Sequence, residues 1–568
     1  MAFLGVKTWR NKKMKIVLES INRIKKLLLS PIGANVAMFG IVFTFLFFDR
    51  FVYFWTPRAH IRESLDVARF ILPWALIGML PLWLMGRHAR LVYWVVAPVA
   101  IVLECVEWVA RLNFKMNLTG SWLGIAMDSS PDEMKCFLGE YVSFTGALYV
   151  LGVLGLIAFV CRCISLVRFA KVSKMSLVAA GFSFLVFIYA NNLPKAKLYG
   201  KTRPLPAVHL IPSTVHNFAS LHLFAQMKAR PRLPPAIRAV ASTNEAVTGV
   251  FVVGESATRK HWGLYGYPRD TTPEMSALRE ELVVFSDLVT TDGQTNEALI
   301  SLLTTRTLEG PSDVRYALPQ ALRVCGFDAA LYSNQRRWDG FESSGTYAFA
   351  GCEPALFRIK FDDTNSYDDG LLKHLDKSLA STSGPRVVFL HLLGSHNVYR
   401  DRYPKSESLP FGAKADAAAG RDARQTTIDE YDNSIWYTDK ILGEIVRRVR
   451  ALHKPAWVVY VSDHGETPSA KHWRTMTDLD LWEVPFVVWT SPEFNAQYPE
   501  RVEALRRAQD KPLQIDQLLP GLLRFMGVEG LGVAPSADFL DDAFQPRRPR
   551  RIQEERIPYP RDVKKAEP

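Results

Sequence analysis

At 568 residues the chain exceeds what a single hydrophobic core organises, so more than one domain is expected. The formal net charge is +12, but the basic residues crowd the N-terminus, short loops beside apolar segments and the C-terminal tail. No basic-aromatic motif for nucleic acid accompanies them, so nucleic acid is set aside and contact with an anionic membrane is preferred.

The first 30 residues carry Lys7, Arg10, Lys12, Lys13, Lys15, Arg23, Lys25 and Lys26 against Glu19 alone. A cleavable signal peptide has a shorter charged region and a small-residue cleavage site, and neither pattern is present. Five apolar stretches follow near 33–55, 69–86, 91–110, 141–161 and 175–192. Each is close to the roughly 20 residues a helix needs to span a bilayer. Residues 1–192 are therefore expected to form a five-helix transmembrane domain. Arg87 and Arg90 share a side with Arg162, Arg168, Lys171, Lys174 and the N-terminal stretch, which the positive-inside rule makes cytoplasmic. Five crossings then deliver everything after residue 193 to the opposite face.

Residues 193–245 are rich in proline (Pro194, Pro204, Pro206, Pro212, Pro231, Pro234 and Pro235) and read as a linker with a surface-lying helix. Over 246–545, strand-like runs alternate with helical patterns. Val250–Val253, Ala329–Tyr332, Val387–Leu390, Trp457–Val461 and Pro485–Trp489 read as strands, while Ile435, Leu442, Ile445, Val446 and Val449 recur at helical spacing. That alternation predicts a mostly parallel sheet with helices on both faces. The arginine-rich tail, 546–568, is expected to be poorly ordered. No Cys-x-x-Cys pair occurs, which argues against a zinc ribbon. Cys325 and Cys352 form either one disulfide or two buried thiols.

A polar residue stands where several strands stop: Glu255, Asn334, His396 and the pair Asp463-His464. Ligands gather at the carboxyl ends of strands in open α/β sheets, and carboxylate plus imidazole suits a divalent ion. Thr295 follows the turn signal Asp292-Gly293 and precedes the helical run Glu297–Ile300. There it meets the free N–H groups and dipole of a helix start, which favour phosphate. An ordinary capping threonine fits the same spacing, and on spacing alone it is the preferred reading.

Gly254-Glu255-Ser256-Ala257-Thr258-Arg259 and the run Gly263–Pro273 resemble the signature of bacterial phosphoethanolamine transferases. The similarity continues through Thr295–Leu299, Ser333-Asn334-Gln335, Gly394-Ser395-His396, Tyr431–Ile435 and Ser462–Glu466. The resemblance implies an inner-membrane, multi-pass protein with a cytoplasmic N-terminus and a periplasmic α/β domain of the alkaline phosphatase/sulfatase fold. It makes Glu255, Thr295, Asp463 and His464 zinc ligands, with Thr295 also the nucleophile. One tightly bound zinc is implied, a second ion stays open, and so does manganese in its place. His396 and His472 match positions near the phosphate or a second metal, and Asn334 is a candidate for the donor headgroup. The implied donor is phosphatidylethanolamine and the implied acceptor a lipopolysaccharide or another envelope glycan. Thr290–Arg306 lacks the cysteines that often flank the nucleophile in relatives acting on lipid A, so the stretch is more similar to the branch that decorates the lipopolysaccharide core. A phosphoglycerol transferase of the same fold and a catalytically silent lipid-binding protein are the alternatives.

Overall fold

The computed structural model describes residues 76–114, 144–166, 171–192, 225–240, 247–309, 314–336, 344–358, 367–380, 384–396, 398–412, 423–468, 478–553 and 556–564. The chain divides into two compact units, Met1–Asn217 and Phe218–Pro568.

In the first unit the long helices are α1 (Ala89–Phe114), α2 (Phe144–Leu166) and α3 (Lys174–Asn192). They fall on three of the expected spans. Large apolar side chains point outward, with Leu91 74%, Phe159 65% and Met175 77% exposed. Such a surface is unfavourable in water and suited to lipid. Among the described residues, Leu76–Leu103 is long and apolar enough to cross a membrane, whereas Val150–Ser165 and Lys174–Val186 are shorter apolar helices. The expected span over 33–55 and the start of that over 69–86 lie outside the described residues.

The second unit is built on a seven-stranded sheet. Its strands are β1 (Thr248–Gly254), β2 (Leu282–Val284), β3 (Asp328–Arg336), β4 (Ala355–Arg358), β5 (Arg386–His391), β6 (Ala456–Ser462) and β7 (Phe486–Thr490). Their spatial order is β2-β7-β6-β1-β5-β3-β4. β1 pairs in parallel with both β5 and β6, and β3 pairs in parallel with β4 and β5. β7 runs antiparallel to its neighbours β6 and β2.

The continuous apolar run of β1 follows from burial on both sheet faces. Phe251 and Val253 join one core, with Trp457 and Val459 of β6; Val250 and Val252 join the other, with Val458 and Tyr460. Helices α4 (Thr295–Leu303), α5 (Leu318–Val324), α8 (Pro499–Ala508) and α9 (Leu518–Phe525) cover the first face through Leu302, Leu322, Leu505 and Leu522. Helices α6 (Leu372–Leu379) and α7 (Ala423–Arg450) cover the second through Leu375, Ile435, Ile445 and Val449. Each large apolar side chain so buried contributes about 1.5–3 kcal/mol.

Two expectations need adjustment, and the alternatives left open for Cys325 and Cys352 are decided. Within the proline-rich stretch expected as a linker, Met227 is buried in the first core and Arg238–Ala239 pairs antiparallel with Val528–Glu529. Proline fixes φ in a range that an edge strand also uses, so a linker-like composition is compatible with pairing at an edge. The tail expected to be poorly ordered is instead packed in its described part, where Arg550, Ile552 and Tyr559 are all buried. Its arginines find carboxylates, with Arg547 2.7 Å from Asp516 and Arg550 2.8 Å from Asp287. Cys325 and Cys352 are free thiols. Burial pushes both up, Cys325 to about 11.

Phe251 is fully buried, with its ring centroid 5.5 Å from that of Phe389 across the β1–β5 pair. Phe251→Ala should therefore destabilise the fold by about 3–5 kcal/mol. Thermal denaturation of the detergent-purified chain would show this as a lowered midpoint, and an unchanged midpoint would contradict the packing described.

Candidate active site

The site lies where the parallel strands end. β1 runs into Glu255, and β6, hydrogen-bonded beside it, runs into Asp463 and His464. The two central strands thus deliver three ligand-type side chains from rigid backbone. Gly254 is needed because a Cβ there would lie 2.3 Å from the Tyr460 hydroxyl. Ser256 sits at φ 55°, a left-handed conformation costly for a side-chain-bearing residue. That turn is held by hydrogen bonds: Ser256 N–H donates to Asp463 Oδ1 at 3.1 Å, and Ser256 Oγ donates to Glu255 Oε1 at 2.7 Å. Gly394, at φ 48°, lets the loop after β5 press on the same turn, since a Cβ there would lie 2.8 Å from the Glu255 carbonyl oxygen.

Glu255, Asp463 and His464 are all buried, and each offers a ligand atom within 4.8 Å of the others. His464 Nε2 lies 3.3 Å from Glu255 Oε1 and 3.5 Å from Asp463 Oδ2. Thr295, the first residue of α4 after its N-cap Gln294, closes the group. Its Oγ1 donates to Glu255 Oε2 at 3.1 Å and lies 3.4 Å from His464 Nε2. Thr290 Oγ1 donates to the Asp463 carbonyl at 2.7 Å, tying the loop before Thr295 to the end of β6.

The fit to a cation rests on two observations. Asp463 Oδ2 is buried without a hydrogen-bond partner, although Oδ1 accepts from the N–H groups of Ser256 and His464. His464 Nδ1 bonds the Gly465 carbonyl at 2.8 Å, which assigns it the hydrogen and leaves the Nε2 lone pair facing the carboxylates. Buried carboxylates of like charge this close are unfavourable unless a cation or a proton intervenes. Burial and the Glu255 charge push Asp463 up to about 7. Burial would also raise Glu255, but with no cation bound a protonated His464 beside it, through hydrogen bond and charge and with help from His396 and Ser256, outweighs this and holds that carboxyl well below its usual range; a cation would take the place of the Nε2 proton. Two carboxylates, an imidazole and a hydroxyl suit zinc or manganese.

The remaining candidates separate. His396, half-buried, acts on Glu255 through charge and is not among the converging ligand atoms. Asn334 Nδ2 donates to buried Asp368 at 2.8 Å, and Asp368 accepts from Leu393 and Gly394, so Asn334 braces the loop after β5. His472 lies outside the described residues. The neighbour of Asn334, Gln335, was not singled out from the sequence, yet its Nε2 donates to Glu255 Oε2 at 2.7 Å and to the Leu392 carbonyl at 3.1 Å. β3 shifts register between Ser333 and Arg336, so strict strand alternation does not predict which neighbour faces the site. Other motif residues are scaffold. Tyr431 Oη accepts from Thr258 N–H and donates to the Ser256 carbonyl, while Asp432 gathers His261, Tyr267 and Arg269.

Residues 248–528 match the family model described as Sulfatase. Phosphoethanolamine transferase EptC of Escherichia coli (strain K12) is 25% identical over 458 residues, covering 74% of this chain and 78% of that protein. The crystal structure of the C-terminal periplasmic domain of E. coli EptC in complex with Zn is 25% identical with TM-score 0.51, over 59% of this chain and 99% of that one. The integral membrane lipooligosaccharide phosphoethanolamine transferase A of Neisseria meningitidis has TM-score 0.61 at 20% identity, over 92% of this chain and 98% of that one, a likeness of fold.

Since Asp463 without a cation holds a proton up to about pH 7, metal uptake must displace that proton. Zinc affinity of the stripped protein should rise roughly tenfold per pH unit below that point and level off above it. Competition with a chelator between pH 5.5 and 8.5 measures this; a flat profile would remove Asp463 from the ligand set. Asp463→Asn should flatten the slope and lower the bound metal seen by elemental analysis.

Proposed function

Because residues 248–528 form a sulfatase-family domain, we propose that this chain is a membrane-anchored phosphoethanolamine transferase. It takes phosphoethanolamine from phosphatidylethanolamine onto Thr295 and passes it to a cell-envelope glycolipid, lipopolysaccharide core or lipid A. The apolar helices before residue 193 serve as a multi-pass inner-membrane anchor with a cytoplasmic N-terminus, and the α/β domain works in the periplasm.

The observation that carries this reading is the approach of Thr295 Oγ1 to within 3.1 Å of Glu255 and 3.4 Å of His464, at the mouth of a buried carboxylate cluster. A threonine used only as a helix cap has no need of that company. In the reading, Glu255, Asp463, His464 and Thr295 hold zinc. Bound there, zinc would ease loss of the hydroxyl proton and stabilise charge on the phosphoryl oxygens. Thr295 Oγ1 attacks phosphorus, the bond to the glycerol oxygen breaks, and diacylglycerol leaves with a proton. The acceptor hydroxyl then attacks the phospho-threonine, its proton is released, and Thr295 is restored. Gln335 and Ser256 hydrogen-bond the Glu255 carboxylate, so its position is set before substrate arrives. The zinc complex of the EptC domain supports this choice of metal.

Mass spectrometry of envelope glycolipids from cells with and without the gene should show a phosphoethanolamine-sized increment only with it. Thr295→Ala should cut transfer at least about a thousandfold while leaving the protein folded. Intact-mass analysis after mixing with phosphatidylethanolamine should find the adduct on Thr295. A glycerol-sized adduct would redirect the donor to phosphatidylglycerol, and full activity of the alanine variant would end the proposal.

A further inference from the structure

The loop that delivers Thr295 begins at Leu288, and the packed C-terminal segment lies along it. Arg550 is buried, and every N–H of its guanidinium has a partner. Nη1 and Nη2 hold the two oxygens of Asp287 at 2.8 and 3.1 Å, while Nε and Nη2 hold those of Asp562, both at 3.1 Å. Nη1 also donates to the Leu513 carbonyl at 3.1 Å, and Leu513–Gln514 pairs in parallel with Leu288–Val289. The Tyr559 ring lies 5.0 Å from the guanidinium carbon, and its hydroxyl donates to Glu483 at 2.5 Å. Glu483 in turn binds Arg259 at 3.1 Å, whose Nη1 donates to the Leu288 carbonyl at 3.2 Å. Further along, Gln553 N–H donates to the Thr291 carbonyl at 2.7 Å, four residues before Thr295.

We infer that the described C-terminal residues 549–553 and 556–564 position the nucleophile, with Arg550 as the positioning residue that sets the loop Leu288–Gln294 against the ends of β1 and β6. This rests on the reading of Thr295 as nucleophile. The loop is held on its inner side by Thr290 Oγ1 on the Asp463 carbonyl and by Thr290 N–H on the Trp482 carbonyl. On its outer side it is held by the terminal segment. A buried, fully satisfied arginine fork is not needed merely to attach a tail, because apolar packing does that at least as well. What the fork adds is angular definition, since two planar carboxylates and one planar cation tolerate little displacement. An error of about 1 Å at a reacting atom can cost about a hundredfold in rate.

The test compares full-length protein in phosphatidylethanolamine-containing nanodiscs with its Arg550→Lys, Tyr559→Phe and Thr295→Ala variants. Lysine keeps the charge and loses the fork; phenylalanine removes a single hydroxyl. Arg550→Lys should lower kcat roughly tenfold to a hundredfold with KM for the donor within about twofold, and Tyr559→Phe should lower kcat severalfold. Cobalt(II) loaded into the site provides a readout independent of the donor, because its d–d spectrum reports the Thr295 oxygen. Arg550→Lys should move that spectrum toward the one of Thr295→Ala. Wild-type kcat and spectrum in both substituted proteins, with only the melting midpoint lowered, would overturn the inference. If Arg550→Lys does not fold, Tyr559→Phe decides on the same criteria. Should the wild type transfer no phosphoethanolamine, the functional reading fails, and the cobalt spectra still decide the positioning one.

Discussion

Everything in the catalytic-type domain depends on holding two buried carboxylates and an imidazole together at the ends of adjacent strands. Glu255 and Asp463 repel one another, and burial removes the water that would screen them. The fold resists that repulsion with backbone: β1 and β6 are hydrogen-bonded from Thr248–Ala456 to Gly254–Ser462, so the two carboxylates cannot separate without breaking the sheet. Hydrogen bonds then orient each group. Ser256 and Gln335 serve Glu255, the Ser256 and His464 amides serve Asp463, and the Gly465 carbonyl serves His464. The left over acceptor, Asp463 Oδ2, is where the demand for a positive charge is concentrated.

Such a sheet was legible from the order of apolar runs because its central strands are apolar on both faces. Runs such as Val250–Val253 and Trp457–Val461 have no amphipathic alternation to confuse with a surface strand, and the Gly or Ser that ends each run marks where chemistry begins. The helix Ala423–Arg450 announced itself by the 3.6-residue recurrence of Ile435, Leu442, Ile445 and Val449. Glu255, Asp463 and His464 were legible for the same reason, as polar residues stepping off buried strands.

What could not be read shows where local pattern loses to tertiary contact. Asn334 and Gln335 are adjacent and chemically alike, and a register shift in β3 decides that Gln335 meets Glu255 while Asn334 meets Asp368. The arginine-rich terminus looks solvated in sequence because its partners, Asp287 and Asp516, lie far away along the chain. Likewise, Arg238–Ala239 is stabilised by a strand formed by Val528–Glu529, which no local signal announces. In each case the deciding contact is one the sequence places out of view.

The antiparallel course of β7 carries a further implication. β7 and β2 lie on the far side of β6 from β1; β7 is reversed, while β2, antiparallel to β7, runs in the same direction as β6. Both flanks therefore reach the cluster: β5 and β3 bring His396 and Gln335, and the chain leaving β2 supplies the loop that carries Thr295. A change of chain length between β2 and Thr295 would therefore be felt at the same rim as one after β5, so neither border of the sheet varies independently of the other.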